Sequence, residues 1–160
     1  MVEEALRFGD RAMLEPYLER ARELEVAVLE RRDGAVQAFG PGEVFPGHEF
    51  YDYDAKYAPG VSRTTTTSDL PAELAEAMRS AAVLLFAAAK SRGLSRMDFL
   101  MARSGERAGR WYLSETNTFP GFTPISLFPA LVMSGGSTFS ELCVELVAAA
   151  AARPASGTPQ

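Results

Sequence analysis

The sequence predicts an α+β domain, with helices packed against an antiparallel sheet and one long loop. Strand-like segments come in pairs joined by short turns, and segments of helical composition lie between and after these pairs. The chain has 160 residues, of which 47% are apolar and 23% are charged. This size and composition suit one globular domain with a sizeable core.

The first segments of the chain are predicted to form a short helix and a hairpin. Residues 2–9 have the composition of a short helix, and residues 11–18 are expected to form a short strand or a linker. Residues 23–40 indicate two strands around Asp33-Gly34, a dipeptide typical of tight β-hairpin turns.

A long loop is predicted over residues 41–68, which are rich in proline, glycine, aspartate and tyrosine and show no sustained hydrophobic period. Loops of this length in a compact domain are usually functional or disordered. The aromatic residues favour a loop that packs on something, because disordered segments are depleted in them.

A long helix is predicted next, over residues 72–92. Asp69 is expected to be its N-cap, with Pro71 near the first turn and Gly93 at its end.

The remaining segments predict a second hairpin and two final helices. Residues 95–103 and 110–118 form the strands, joined by the turn "SGERAG". Two helices follow within residues 125–153, and the second opens with a capping box of Thr138 and Glu141.

The composition argues against several classes of partner. The net charge of −5 disfavours a nucleic-acid or anionic-membrane surface, since both attract basic patches. Apolar runs such as "AAVLLFAAAK" are too short to span a membrane, and the N-terminus lacks a signal-peptide pattern. A single cysteine, Cys143, fits a reducing compartment. We therefore expect a cytoplasmic location.

The second hairpin predicts a polar cluster. If Arg103 pairs with Arg110, Asp98 stands opposite Glu115, and Arg96 stands opposite Asn117. Strand alternation then assigns residues to two faces. The polar face also carries Leu100, Trp111 and Leu113, and the core face carries Met97, Phe99 and Met101.

Two carboxylates directly opposite each other repel, unless a cation lies between them. Mg²⁺ prefers oxygen ligands and is usually held by one or two carboxylates, and the amide oxygen of Asn117 suits the same chemistry. The alternative is a solvated sheet face with a cross-strand charge pair. Spacing alone leaves both open.

The motifs "SRMDFL" and "YLSETNTFPGFTPISLFPAL" resemble the C-terminal catalytic part of D-alanine–D-alanine ligases, members of the ATP-grasp superfamily. "FYDYDAKY" resembles the mobile loop of that family, and "AMLEPYLERARELEVAVLE" resembles its adenine-side hinge and following strand. The resemblance implies the C-terminal half of an ATP-grasp fold, with a long active-site loop. Residues 1–153 would be a partial ATP-grasp domain and residues 154–160 a flexible tail.

The resemblance also implies roles for residues around the polar cluster. The ligands of two Mg²⁺ ions, with Mn²⁺ as a substitute, would be Asp98, Glu115 and Asn117. Arg96 and the backbone N–H of Gly121 match groups that stabilise the tetrahedral intermediate.

Further matches concern the two substrates. Ser126 and the N–H of Leu127 match groups that hold the carboxylate of the second D-alanine. Lys56 matches a lysine that faces the γ-phosphate of ATP, and Tyr57 matches a tyrosine that helps to close the loop. The matches around the adenine and ribose are Glu15, Tyr17, Leu18 and Glu23.

The implied activity is ATP-dependent ligation of two D-alanines through an acyl phosphate, for peptidoglycan precursor synthesis. The alternatives are a D-alanine–D-lactate-type or other ATP-grasp ligase, and a non-catalytic ATP-grasp fragment. The family's N-terminal substrate domain and the upstream part of the ATP site have no counterpart in this sequence. We therefore expect no turnover by this chain alone, and either self-association or pairing with a complementary N-terminal half.

Overall fold

The computed structural model describes residues 2–45, 63–123 and 125–152. They form one antiparallel sheet with helices on both faces. The five strands are β1 (Arg22–Glu30), β2 (Val36–Phe45), β3 (Arg63–Thr65), β4 (Leu94–Met101) and β5 (Trp111–Asn117). The four α-helices within the described ranges are α1 (Val2–Ala5), α2 (Ala72–Ala88), α3 (Leu127–Ser134) and α4 (Phe139–Ala151).

The strand order is β3-β2-β1-β4-β5, and every neighbouring pair is antiparallel. The central strand β1 is buried from Leu24 to Glu30, as expected for a strand with helices on both faces. The predicted α+β class and both predicted hairpins are confirmed.

One face of the sheet packs against α2. The helix contributes Met78, Ala82 and Phe86, which are four residues apart and therefore line one side of it. The sheet side of this cluster consists of Leu24, Val26, Val28, Met97, Phe99 and Met101. The predicted core face of β4 is confirmed.

The opposite face packs against α3 and α4. The sheet contributes Ala27, Leu29, Phe39 and Val44, and the helices contribute Leu127, Phe128, Leu131, Val132 and Leu142. In the described ranges no single helix is long and apolar enough to cross a membrane. The helices α3 and α4 pass such a test only when taken together, across a bend of 102°.

The predicted loop over residues 41–68 is wrong at both ends. Strand β2 continues through Gly40-Pro41 to Phe45, and the register of β1 and β2 shifts between Glu25 and Ala27. Gly42 allows close pairing of β2 with β3, because a Cβ there would lie 2.6 Å from the carbonyl oxygen of Thr65 in β3. Residues 46–62 lie outside the described residues.

Helix α2 begins at Ala72 as predicted, but its predicted N-cap and its predicted C-terminal end are wrong. The N-cap is Pro71, without a side-chain cap, and Asp69 instead accepts a hydrogen bond from the guanidinium of Arg22. The helix ends at Ala88, and Lys90 takes the left-handed conformation with φ of 52°. Gly93 lies in the turn into β4 with φ of 72°.

The final helix follows the sequence signal closely. Thr138 accepts a hydrogen bond from the backbone N–H of Glu141, and the Glu141 carboxylate accepts one from the backbone N–H of Thr138. This confirms the predicted capping box. The half-buried thiol of Cys143 lies in this helix.

The segment ahead of β1 stands away from the core. The helix α1 spans four residues, and no strand forms over residues 11–18. The side chains of Phe8, Met13 and Leu14 are 89%, 83% and 85% exposed.

Candidate functional site

The hairpin of β4 and β5 aligns the polar residues as the sequence predicts. Asp98 pairs with Glu115, and Arg96 pairs with Asn117. Directly paired residues of antiparallel strands share a face, so two acids, one base and one amide lie on the same side of the sheet. The predicted register is confirmed at this point.

Nearer the turn the register differs from the prediction by one residue. A β-bulge between Asp98 and Phe99 leaves Ser114 as the extra residue of β5, and beyond it Met101 pairs with Trp111. The backbone of Ala102, rather than that of Arg103, bonds to Arg110, through a 2.9 Å hydrogen bond. The Arg103–Arg110 pairing is therefore wrong.

The bulge changes the faces of two side chains. Trp111 and Leu113, predicted to share the face of Glu115, stand opposite Met101 and Phe99. Trp111 packs edge to face on Phe99, with ring centroids 5.4 Å apart. The bulge lets β5 contribute a core aromatic near the turn and an acid at the far end.

Arg96 is the electrostatic centre of the polar face. It donates two hydrogen bonds of 2.7 Å to Asp98, and its Nε lies 3.1 Å from a carboxylate oxygen of Glu25. Burial acts to lower the pKa of Arg96, but the hydrogen bonds to Asp98 and the charges of Glu25, Asp98 and Glu115 outweigh it and raise the pKa. The guanidinium is therefore a permanent cation.

Two further acids reach this face from the central strand. Glu25 pairs with Asp98 across β1 and β4, and Glu23 pairs with Leu100. Burial, with a smaller contribution from the Asp98 charge, raises the pKa of Glu23. We call Glu23, Glu25, Asp98 and Glu115, together with Arg96 and Asn117, the acidic face.

The acidic face has the oxygen donors that Mg²⁺ prefers. Glu115 is exposed, and the amide oxygen of Asn117 accepts one 3.2 Å hydrogen bond from the backbone N–H of Phe119. Both oxygens of Asp98 bond to Arg96. Within the described residues, no three carboxylate, histidine or cysteine groups are already arranged as a metal site. The donors fit a hard cation, and Asp98 would share its oxygens between the cation and Arg96.

A loop with hydrogen-bonding groups follows β5. Both the backbone N–H and the hydroxyl of Thr123 contact Ser126 Oγ, at 3.0 and 2.8 Å. Ser126 is the N-cap of α3, but its side chain makes no capping hydrogen bond. The first N–H groups of a helix have no intrahelical acceptor, so the N–H of Leu127 is suited to bind an anion.

Gly121 permits a close approach within this loop. A Cβ at this position would lie 2.9 Å from Ser126 Oγ, which is too close for an ordinary contact. The glycine therefore leaves room for the serine hydroxyl.

Three of the residues matched to adenine binding are not on the strands that carry the acidic face. Glu15, Tyr17 and Leu18 lie in the extended segment before β1, and Tyr17 is 66% exposed. Lys56 and Tyr57 lie outside the described residues.

Glu25 is the residue that the sequence analysis missed. A charged residue within the largely apolar strand "ELEVAVLE" is unusual, because acids are rarely buried without a partner. This signal could have identified it, but its partner, Arg96, is 71 residues away in the sequence.

Comparisons with known proteins agree with the resemblance. A family model described as the D-ala D-ala ligase C-terminus matches residues 1–148. The D-alanine–D-alanine ligase of Clostridium novyi is 41% identical over 152 residues, which cover 95% of this chain and 43% of that protein.

Two solved structures extend the likeness to the fold. D-alanyl-alanine synthetase A from Vibrio cholerae is 36% identical with a TM-score of 0.74, over 91% of this chain and 43% of that one. The VanG D-Ala:D-Ser ligase from Enterococcus faecalis is 28% identical with a TM-score of 0.65, over 81% of this chain and 36% of that one. The chain spans less than half the length of these relatives. It belongs to the D-alanine–D-alanine ligase family and corresponds to the C-terminal part of its members.

Proposed function

We propose that this chain supplies the catalytic C-terminal part of an ATP-dependent ligase that joins two D-alanines for peptidoglycan precursor synthesis. The names of the relatives support the reaction, and the pairing of Asp98 with Glu115 beside Arg96 is the observation that carries the proposal. A purely structural sheet gains nothing from two directly opposed carboxylates. A site that must hold cations and phosphate does gain from two opposed carboxylates.

The proposed metal ligands are Asp98, Glu115 and Asn117. Bound Mg²⁺ would neutralise phosphate charge, because phosphoryl transfer depends mainly on positioning and charge neutralisation. Arg96 is suited to stabilise a developing oxyanion, since its charge is permanent and its side chain is held by two carboxylates.

The loop after β5 is proposed to hold the second amino acid. Ser126 Oγ and the N–H of Leu127 lie at the start of α3, where the helix dipole favours a carboxylate. The backbone N–H of Gly121 would donate to the tetrahedral intermediate. The mobile-loop residues Lys56 and Tyr57 are proposed to close over ATP.

The rest of the ATP site is proposed to lie on the segment before β1. Glu15, Tyr17 and Leu18 would contact the adenine, and Glu23 the ribose. We propose residues 1–153 as the partial ATP-grasp domain and residues 154–160 as its tail. A cytoplasmic location follows from the use of ATP.

The same segment suggests a protein contact. Its apolar side chains are largely exposed, and the chain spans 43% of its Clostridium novyi relative. Apolar side chains exposed together mark interaction surfaces. We propose that this segment packs against a complementary N-terminal half, or against a second copy of the chain.

The experiment is a chimera. Residues 1–148 replace the matching part of the Clostridium novyi ligase, and dipeptide and phosphate are measured with ATP, Mg²⁺ and D-alanine. D-Serine and D-lactate are offered in parallel, because VanG is named a D-Ala:D-Ser ligase. We expect D-alanyl-D-alanine, lost on Glu115→Gln and retained on Glu106→Gln, an exposed residue of the β4–β5 turn.

Other outcomes would correct the proposal. A mixed product with D-serine or D-lactate would reassign the second substrate. A folded chimera that binds ATP and forms no product would support a non-catalytic role. The chain without the N-terminal half is assayed beside the chimera, and we expect no dipeptide from it.

A further inference from the structure

We infer that Glu25 is a positioning residue that holds Arg96 when Asp98 turns to a metal ion. The inference rests on the proposed function, since it concerns the same site. It adds a residue to which neither the sequence motifs nor the comparisons assign a role.

The geometry presents a conflict that Glu25 resolves. Asp98 gives both carboxylate oxygens to Arg96, at 2.7 Å each, and the same oxygens are the proposed metal ligands. If Asp98 moved to a cation with no other acid near Arg96, a buried guanidinium would lose its counter-charge. Leaving a buried charge uncompensated is strongly unfavourable.

Glu25 is positioned to act as the counter-charge of Arg96 in place of Asp98. Its carboxylate lies 3.1 Å from Arg96 Nε, and the side chains of both residues are 10% exposed. It stands on the neighbouring central strand, directly paired with Asp98, and the strand on its other side fixes its backbone. The Arg96 guanidinium therefore has one acid on its own strand, Asp98, and a second acid on β1, Glu25.

We expect Glu25 and Asp98 to have different roles when metal is bound. In the absence of metal, Arg96 is shared by both carboxylates. With metal bound, Glu25 keeps Arg96 in place, so that Asp98 is available as a ligand without a loss of order around the arginine. Removal of Glu25 takes away the second carboxylate beside Arg96, so that arginine and metal compete for Asp98.

The first test needs no metal. Asp98→Asn removes the charge that a bound metal would draw away, and hydrogen exchange of the Arg96 Nε–H is followed by ¹⁵N-arginine NMR in the full chain. We expect modest acceleration in Asp98→Asn alone and about tenfold further acceleration when Glu25→Gln is added, from the loss of the ion pair between Glu25 and Arg96. Equal exchange rates with and without Glu25→Gln would overturn the inference.

The second test measures metal binding directly, by electron paramagnetic resonance titration with Mn²⁺ alone. We expect Glu25→Gln to weaken binding about tenfold, as losses of groups behind metal ligands do, with Glu25→Asp closer to the wild type. The matched control is Glu30→Gln. Glu30 is on the same strand, is equally buried at 8% and is also paired with an arginine, Arg92.

A double-mutant cycle separates positioning from simple charge. In an Arg96→Gln background, Glu25→Gln should no longer alter Mn²⁺ affinity, because the residue through which Glu25 acts is gone. An unchanged tenfold loss there would show that Glu25 acts on the metal by charge alone and would overturn the inference. If the wild-type chain bound no Mn²⁺, the proposed metal site would fail, while the exchange experiment would still decide the role of Glu25.

Discussion

Gly121→Ala should impair use of the second amino acid while leaving the fold nearly unchanged. The added Cβ would lie 2.9 Å from Ser126 Oγ, which is 0.5 Å inside the 3.4 Å at which ordinary contact begins. A serine hydroxyl is a flexible side-chain end, so it would yield rather than the backbone. Its bonds of 3.0 and 2.8 Å to Thr123 would then break or lengthen.

The magnitude follows from what the hydroxyl is proposed to hold. A hydrogen bond to a carboxylate contributes about 1.5–3 kcal/mol, which corresponds to roughly 10- to 150-fold in binding. We therefore expect the KM of the chimeric ligase for the second D-alanine to rise by about this factor. Because Gly121 is exposed and the displaced group is a hydroxyl that can move, we expect the free energy of unfolding to fall by about 1 kcal/mol or less.

The assay compares KM values for D-alanine and ATP in four proteins: the parent chimera, Gly121→Ala, Ser126→Ala and the double variant. The new Cβ would be 3.6 Å from Ser126 Cβ, an ordinary contact, so Gly121→Ala should add little once the hydroxyl is gone. Glu106→Gln, at an exposed residue of the β4–β5 turn, is the control. Equal losses for both substrates, or additive effects in the double variant, would refute the reasoning.

Three further predictions concern single sites. Ser126→Ala in the chimera should raise the KM for the second D-alanine by roughly 10- to 150-fold and leave the KM for ATP nearly unchanged; equal changes would remove its proposed role. Gly135→Ala should lower the free energy of unfolding in urea by about 1–3 kcal/mol, because its Cβ would lie 2.6 Å from the Phe39 ring; no loss would contradict the packing. Hydrogen bonds from the backbone and side chain of Thr138 lower the pKa of Glu141. The Glu141 carboxylate therefore stabilises α4 above about pH 4.5, and this stabilisation is lost as the pH falls through the lowered pKa. Glu141→Gln should therefore be less stable than the wild type at pH 7 and equal to it at acid pH, and a pH-independent difference would contradict this.

Local signals in the sequence predicted much of the fold. Asp33-Gly34 marks a turn whatever surrounds it, and the capping box of Thr138 and Glu141 is complete within four residues. The Asp98–Glu115 pairing was predicted correctly from an incorrect pairing at the turn, because the β-bulge after Asp98 cancels the one-residue difference in register nearer the turn.

Features that depend on distant partners were not predictable. Gly40-Pro41 has the composition of a loop, yet β2 continues through it, with Arg79 of α2 donating a 2.6 Å hydrogen bond to the carbonyl oxygen of Gly40. Asp69 is a good N-cap in isolation, but Arg22 takes its carboxylate.

The candidate site shows the same division between near and distant contacts. The motif residues of the site lie on β4 and β5, where the alternation of side chains along each strand determines the face of the sheet that each residue occupies. The β-bulge at Asp98 and Phe99 depends on the packing of Trp111, and the role of Glu25 depends on an arginine from another strand. Neither can be derived from spacing along the chain.

Urea unfolding with and without Mg²⁺ tests the proposed metal site most directly. A ligand that binds only the folded state adds about 2.7 kcal/mol when its concentration is 100 times its Kd. We expect Mg²⁺ to raise the free energy of unfolding of the wild-type chain and of Glu106→Gln by the same amount, and to add little to Glu115→Gln. Equal stabilisation of all three proteins by Mg²⁺ would contradict a metal site at the Asp98–Glu115 pair.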